Sequence, residues 1–200
     1  MSKRLFDIVA ALAGLVVLAP LFAVIAICIR LDSPGPAWFR QQRVGRFGVP
    51  FDIIKFRTMR VDSGHGPRLT VGADARITRI GKFLRRYKID ELPQLINVVL
   101  GSMSLVGPRP EVPRYVACYP AEVRAIVLSV KPGITDWASI CYKDENAILG
   151  RSADPERAYL DVILPAKLDY NVRYVRERGF WTDLRIIFST LAALTRQRLS

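Results

Sequence analysis

The N-terminal apolar run is the feature that most constrains this chain. From Leu5 to Leu31 the sequence is apolar except for Asp7 near its start and Arg30 near its end. Wound as a helix, ~25 residues extend about 37 Å, more than the ~30 Å hydrocarbon core of a bilayer. A cleaved leader does not suit it: the run is too long and no clean small-x-small site follows. Ile27 before Cys28 also fits a lipoprotein site poorly. Pro20 lies near the middle, where it removes a backbone hydrogen bond and favours a kink. Lys3 and Arg4 precede the run, and Arg30, Arg40 and Arg43 close it or follow it. Lys and Arg prefer the cytoplasmic side of a membrane. A spanning helix would satisfy that preference at one end only, whereas a helix that bends and returns would satisfy it at both. From this segment alone the two arrangements stay open, since proline also occurs in spanning helices.

Charge narrows the partners. The 200 residues carry 30 Lys and Arg against 18 Asp and Glu, a net +12, although half are hydrophobic. A chain both apolar and basic suits an anionic membrane surface, where each nearby cation adds about 1 kcal/mol. Nucleic acid is the rival anionic partner. The three cysteines, Cys28, Cys118 and Cys141, match no metal spacing, and their odd number argues against a disulfide framework. A single histidine, His65, rules out a His-rich zinc site and disfavours a Ser-His-Asp triad. No P-loop or dinucleotide fingerprint is present.

Beyond the turn cluster Asp32-Ser33-Pro34-Gly35-Pro36, the pattern predicts two short strands between Trp38 and Met59 around Gly45 to Pro50. A Gly- and Ser-rich loop follows from Val61 to Ala73. A helix over Ile77 to Tyr87 comes next, with Thr78 as a cap and Arg79, Lys82, Arg85 and Arg86 on its polar face. Asp90 to Leu100 reads as a helix with Asp90 as N-cap and Gly101 as terminator. Gly107-Pro108-Arg109-Pro110 forces an extended turn, and Lys131-Pro132-Gly133 makes another. Helices are expected over Pro120 to Val130 and over Asp154 to Val175, the latter interrupted by Pro165. A last helix from Thr182 to about Arg198 carries Leu184, Ile187, Phe188, Leu191 and Leu194 on one stripe. That stripe fits either the core or, with Phe180 and Trp181 at a headgroup boundary, a membrane interface. The fold class expected is α/β, mostly helical with short strands.

Chemistry concentrates at Asp90-Glu91. Taken alone, an acidic pair at a helix start is most simply a cap, since the dipole and free N–H groups favour it. Its surroundings raise the stakes, because a cationic helix precedes it and the Arg109 turn follows. A carboxylate among cations can bind Mg²⁺, or attack phosphorus if it stays unpaired. Lys55, Arg57, Arg85 and Arg109 would suit phosphate oxygens if the fold gathers them.

Four motifs in order then point to a family. Lys55-Phe56-Arg57-Thr58-Met59, Asp90-Glu91-Leu92-Pro93-Gln94-Leu95, Met103-Ser104-Leu105-Val106-Gly107-Pro108-Arg109-Pro110 and Lys131-Pro132-Gly133-Ile134-Thr135 together resemble the bacterial sugar transferases, specifically the small monotopic phosphoglycosyl transferases. The resemblance implies transfer of a sugar phosphate from a UDP-sugar to undecaprenyl phosphate, starting glycan assembly at the cytoplasmic face of a bacterial inner membrane. It implies Asp90 as nucleophile, Glu91 as its assistant and Mg²⁺ near Asp90. It also implies UMP release through a covalent aspartyl-phosphosugar, and a chain divided into a re-entrant membrane helix hairpin broken at Pro20 (residues 1–33) and a cytoplasmic catalytic domain with interfacial amphipathic helices (residues 34–200). Its partners would be the UDP-sugar, undecaprenyl phosphate and membrane lipids, with no nucleic acid; a homodimer is one assembly it allows. Three positions depart from the usual pattern. The break reads Ala19-Pro20 rather than Ser-Pro, Ser102 stands where many relatives have Asp, and Asp136-Trp137 stands where many continue Gly-Leu. The sugar is therefore not carried over. A non-enzymatic membrane adaptor would explain the charge and the apolar helix, but not the motifs.

Overall fold

The computed structural model of the chain describes residues 3–61, 74–142 and 145–196. The stretch expected as a loop, with His65, falls almost wholly outside the described residues, as does Arg198. The architecture is mostly helical with short strands, as expected. Helix α1 (Lys3–Asp32) leads into an antiparallel hairpin of β1 (Trp38–Val44) and β2 (Pro50–Phe56), paired from Trp38↔Phe56 to Val44↔Pro50. Next come α2 (Arg79–Arg86), a 3-10 turn (Ile89–Glu91), α3 (Gln94–Leu100) and β3 (Ser104–Val106). Helices α4 (Pro113–Ala117) and α5 (Ala121–Val127) precede β4 (Gly133–Thr135), which runs parallel to β3. The remainder is α6 (Trp137–Cys141), α7 (Glu145–Leu149), α8 (Pro155–Ala158), a π-turn (Tyr159–Ile163), α9 (Leu164–Glu177) and α10 (Phe180–Arg196). Pro165 sits in the first turn of α9, directly after the π-turn, within helical backbone that runs on from α8.

Helical backbone is continuous through Pro20, from Lys3 to Asp32. Asp7, Ala11, Phe22, Ile25 and Ile29 are buried on one stripe, with Leu15 and Leu18 partly buried between them. That stripe packs on Ile53, Val98 and Met103 toward its start, and on Phe56 and Leu84 toward its end. The opposite face is bare: Val16 and Val17 are each 74% exposed, and Leu12, Val24 and Ile27 stand out beside them. So large an apolar face belongs in a medium other than water.

Polar bonds hold both ends of α1 to the same body of protein. At the start, Lys3 pairs with Asp183 and donates to the Val106 carbonyl, while Arg4 donates to the carbonyls of Val98 (2.6 Å) and Val99 (3.0 Å). Asp7 accepts from Ser104 Oγ at 2.8 Å. At the far end, buried Arg57 donates to the carbonyls of Ile29, Ser33 and Pro34. Ile29 lies in the last turn of α1 and also accepts from the Ser33 N–H (3.1 Å), while Ser33 and Pro34 lie just beyond the helix. Asp32 accepts from the Ile80 N–H (3.0 Å), joining α1 to α2. The flanking cations expected to respond to membrane charge are thus largely spent on protein groups.

The C-terminal helix resolves an alternative in its own way. Asp183, Ile186 and Thr190 face the protein, whereas Phe188 and Leu191 on the apolar stripe are exposed, as are Phe180 and Trp181. Leu184, Ile187 and Leu194 are half-buried, Ile187 against the core, so it is the outer edge of the stripe, at Phe188 and Leu191, that points away from the protein.

Glycines permit the parallel pair. A Cβ at Gly133 would lie 2.0 Å from Gly107 N, and one at Gly107 would lie 2.5 Å from the Lys131 carbonyl oxygen. Close approach of the strands carries the Gly107–Pro110 turn to its place beside β2.

Arg57→Ala is expected to destabilise the folded chain by about 2–3 kcal/mol, because it strands buried carbonyls that a cation had satisfied. Thermal unfolding in detergent would check this; an unchanged midpoint would mean that the end of α1 is held by other contacts.

Candidate active site

Three separate stretches of chain deliver the charged groups. The last turn of β2 presents Lys55, the 3-10 turn presents Asp90 and Glu91, and the turn after β3 presents Arg109. Lys88 enters the 3-10 turn with a left-handed backbone (φ 55°), which folds the chain sharply between α2 and Asp90. Asp90 was expected to cap a helix starting there. Instead α3 begins at Gln94 with Pro93 at its cap position, and neither cap carries a side-chain bond. Asp90 is freed from capping.

The two neighbouring carboxylates meet opposite fates. Glu91 is buried and fully engaged: Arg109 grips both its oxygens, Nη1 to Oε2 at 2.9 Å and Nη2 to Oε1, and Lys55 Nζ donates to Oε1 at 2.9 Å. Burial would raise its pKa, but Arg109 and then Lys55 outweigh this and hold it well below the usual range. Asp90 is equally buried, yet its Oδ1 has no hydrogen-bond partner. Burial first, and the Glu91 charge second, push Asp90 up to about 6, against the pull of Lys55, Arg85 and Lys88. Around neutral pH the group is a largely ionised, desolvated carboxylate with an open lone pair. These are the attributes of a nucleophile.

The cations expected to bind phosphate separate into two kinds. Lys55 and Arg109 lie at the pair and are oriented by Glu91. Arg85 lies close enough to act on Asp90 electrostatically, and its Nε donates to Thr58 Oγ1 at 2.8 Å. Arg57 stands apart, committed to the carbonyls at the end of α1. Pro20 is also remote from the pair, inside α1.

A divalent cation fits here only in a shared site. Among the described residues no three His, Cys, Asp or Glu side chains gather into a ligand cluster. Asp90 Oδ1 is nevertheless a hard oxygen without a partner. One carboxylate oxygen plus substrate phosphates is how Mg²⁺ is usually held. Asp90 would be its protein ligand.

Sequence reasoning missed a buried network behind Arg109. Glu111 accepts from Tyr159 Oη (2.6 Å) and pairs with Lys167 (3.5 Å) and Arg43 (3.6 Å), and Lys167 also pairs with Glu145 (2.9 Å). No spacing in the sequence signals contacts between β1, the Pro-rich turn and α9. Asp136, singled out in the sequence only as a departure from the usual pattern, proves to cap α6 by accepting from the Ser139 N–H.

The chain matches the family model described as bacterial sugar transferase over residues 1–197. It belongs to the bacterial sugar transferase family. Among similar members of that family, the UDP-glucose:undecaprenyl-phosphate glucose-1-phosphate transferase of Xanthomonas campestris pv. campestris is 38% identical over 201 residues, covering 98% of this chain and 39% of that protein. The UDP-N-acetylgalactosamine-undecaprenyl-phosphate N-acetylgalactosaminephosphotransferase of Aeromonas hydrophila is 36% identical, covering 96% of this chain and 43% of that protein. The exopolysaccharide production protein PSS of Rhizobium leguminosarum bv. phaseoli is 38% identical, covering 97% and 96%. This bacterial sugar transferase therefore spans about two fifths of the first two relatives and nearly all of the third.

The raised pKa of Asp90 sets a stability signature. The folded state binds the proton more tightly than the unfolded state, so ionising Asp90 costs stability. That cost is absent below the unfolded pKa near 3.8, grows as pH rises toward about 6, and persists above it. A shift of this size corresponds to about 3 kcal/mol. Asp90→Asn is expected to melt above the wild type at pH 7–8, with the gap closing toward pH 4. Equal melting temperatures throughout would show that Asp90 is not strained.

Proposed function

We propose that this chain is a phosphoglycosyl transferase that moves a sugar 1-phosphate from a UDP-sugar to undecaprenyl phosphate. The observation that carries the reading is the divided pair: Glu91 is saturated by Arg109 and Lys55, while Asp90 keeps an unpartnered oxygen. Asp90 attacks the sugar-bearing phosphorus, the bond from that phosphorus to the bridging oxygen breaks, and UMP leaves. The lipid phosphate oxygen then attacks the aspartyl-phosphosugar, releasing the Asp90 carboxylate and a polyprenol diphosphate sugar. Glu91 acts by orientation: it holds the Lys55 ammonium and the Arg109 guanidinium beside the reacting centre, where their remaining donors can stabilise phosphate charge. Mg²⁺, when bound at Asp90, supplies further neutralisation of the diphosphate. The names of the relatives support both substrate classes.

Membrane placement completes the reading. With both ends of α1 fixed to one body and its outer face apolar, the helix enters and leaves the lipid on the cytoplasmic side of the bacterial inner membrane. The outward stripe of α10, with Phe180 and Trp181, lies in the same headgroup layer. A soluble nucleotide sugar and a lipid-borne phosphate can then reach one carboxylate.

Incubation with a panel of UDP-sugars, undecaprenyl phosphate and Mg²⁺ should release UMP for at least one sugar. Without the lipid, a phosphosugar adduct should form on Asp90. Asp90→Asn should lose both, a fall of ~10⁴-fold or more in turnover. Normal turnover in that variant would remove Asp90 as the nucleophile.

A further inference from the structure

The turn that carries Arg109 has an unusual shortage of backbone donors. Pro108 and Pro110 have no N–H, so the Arg109 amide is the single backbone donor of the three residues. The amide donates to Asp136 Oδ2 at 3.0 Å. Asp136 is 1% exposed and follows β4, whose parallel pairing to β3 brings it against this turn. Its other oxygen, Oδ1, accepts from the Ser139 N–H at 2.6 Å and caps α6. A helix cap needs one acceptor oxygen, and Ser, Thr or Asn would supply it. A carboxylate offers two separate acceptor oxygens, one for the cap and one for the turn.

We propose that Asp136 is a positioning residue that locks the Pro108–Pro110 turn through the Arg109 amide, and so fixes the guanidinium that clamps Glu91 beside Asp90. Its link to turnover rests on the transfer reading above; its link to Arg109 does not. Loss of the Asp136 bond lets the turn shift. Small misplacement of groups at a reacting centre lowers turnover far more than it weakens substrate binding.

Hydrogen exchange on the full chain in lipid nanodiscs tests this directly, because Arg109 carries the only exchangeable amide between Pro108 and Pro110. In the wild type that amide should exchange ~100-fold or more slowly than in an unstructured peptide. Free exchange would overturn the proposal without recourse to any variant. Asp136→Ser keeps one oxygen for the cap of α6 but none for the turn. Arg109 protection should fall by ~10-fold or more, and kcat with the accepted UDP-sugar by a similar factor, with KM within ~3-fold. A folded Asp136→Ser chain with undiminished Arg109 protection, or with lost protection and unchanged kcat, would overturn it. A purely capping role would lower the melting temperature and leave both readouts in place. If the wild type released no UMP from any UDP-sugar, the transfer reading would fall, while the exchange rates would still decide whether Asp136 holds Arg109.

Discussion

Adjacent buried carboxylates repel, and the site exists because the fold resolves that repulsion unequally. Glu91 receives a two-pronged guanidinium and an ammonium, and Asp90 receives neither as a direct partner. A buried pair of like charges would ordinarily keep one proton between them. Here the cations draw Glu91 far down, while the remaining negative charge and the loss of water push Asp90 up. One carboxylate becomes scaffold and the other reagent. Their identities are set by which lies within reach of β2 and the turn after β3.

The local elements were readable because each carries its own chemistry. Strands β1 and β2 follow from apolar and basic residues on either side of a glycine-bounded tip, and α2 from Thr78, whose hydroxyl accepts from Gly81 N–H at 3.0 Å as a cap should. The parallel pair was not readable. Its strands are three residues each and their motifs look like turns, since two glycines allow an approach that no hydrophobic period announces. Asp90 was misread as a cap because the left-handed turn at Lys88 cannot be inferred from a lysine. Arg57 lies two residues beyond Lys55 and looked like a second phosphate ligand. Its position just past the end of β2 turns it toward α1 instead.

The α10 helix teaches a related lesson. Apolar stripes are assigned to the core on the premise that the alternative is water. In this helix the inner face is the mixed one, with Asp183 bonded to Lys3 and Tyr174, Ile186 packed beneath and Thr190 bonded to Thr135. The stripe of Phe188 and Leu191 faces out. The sequence period located the helix correctly but could not say which solvent its faces meet.

The clamps on α1 also have a bearing on synthesis. Lys3, Arg4 and Asp7 are made well before their partners Val98, Val99, Ser104, Val106 and Asp183. At ~5–20 residues per second the ribosome needs several seconds or more to produce them. Through that interval the apolar helix is already available to the bilayer, with a carboxylate and two cations still lacking their protein partners. Those groups can stay hydrated only near the surface, which discourages the nascent helix from drawing its first turn across the membrane. The charged first turn of α1, later an internal fastener, would thus stay at the water-facing surface until its protein partners are made.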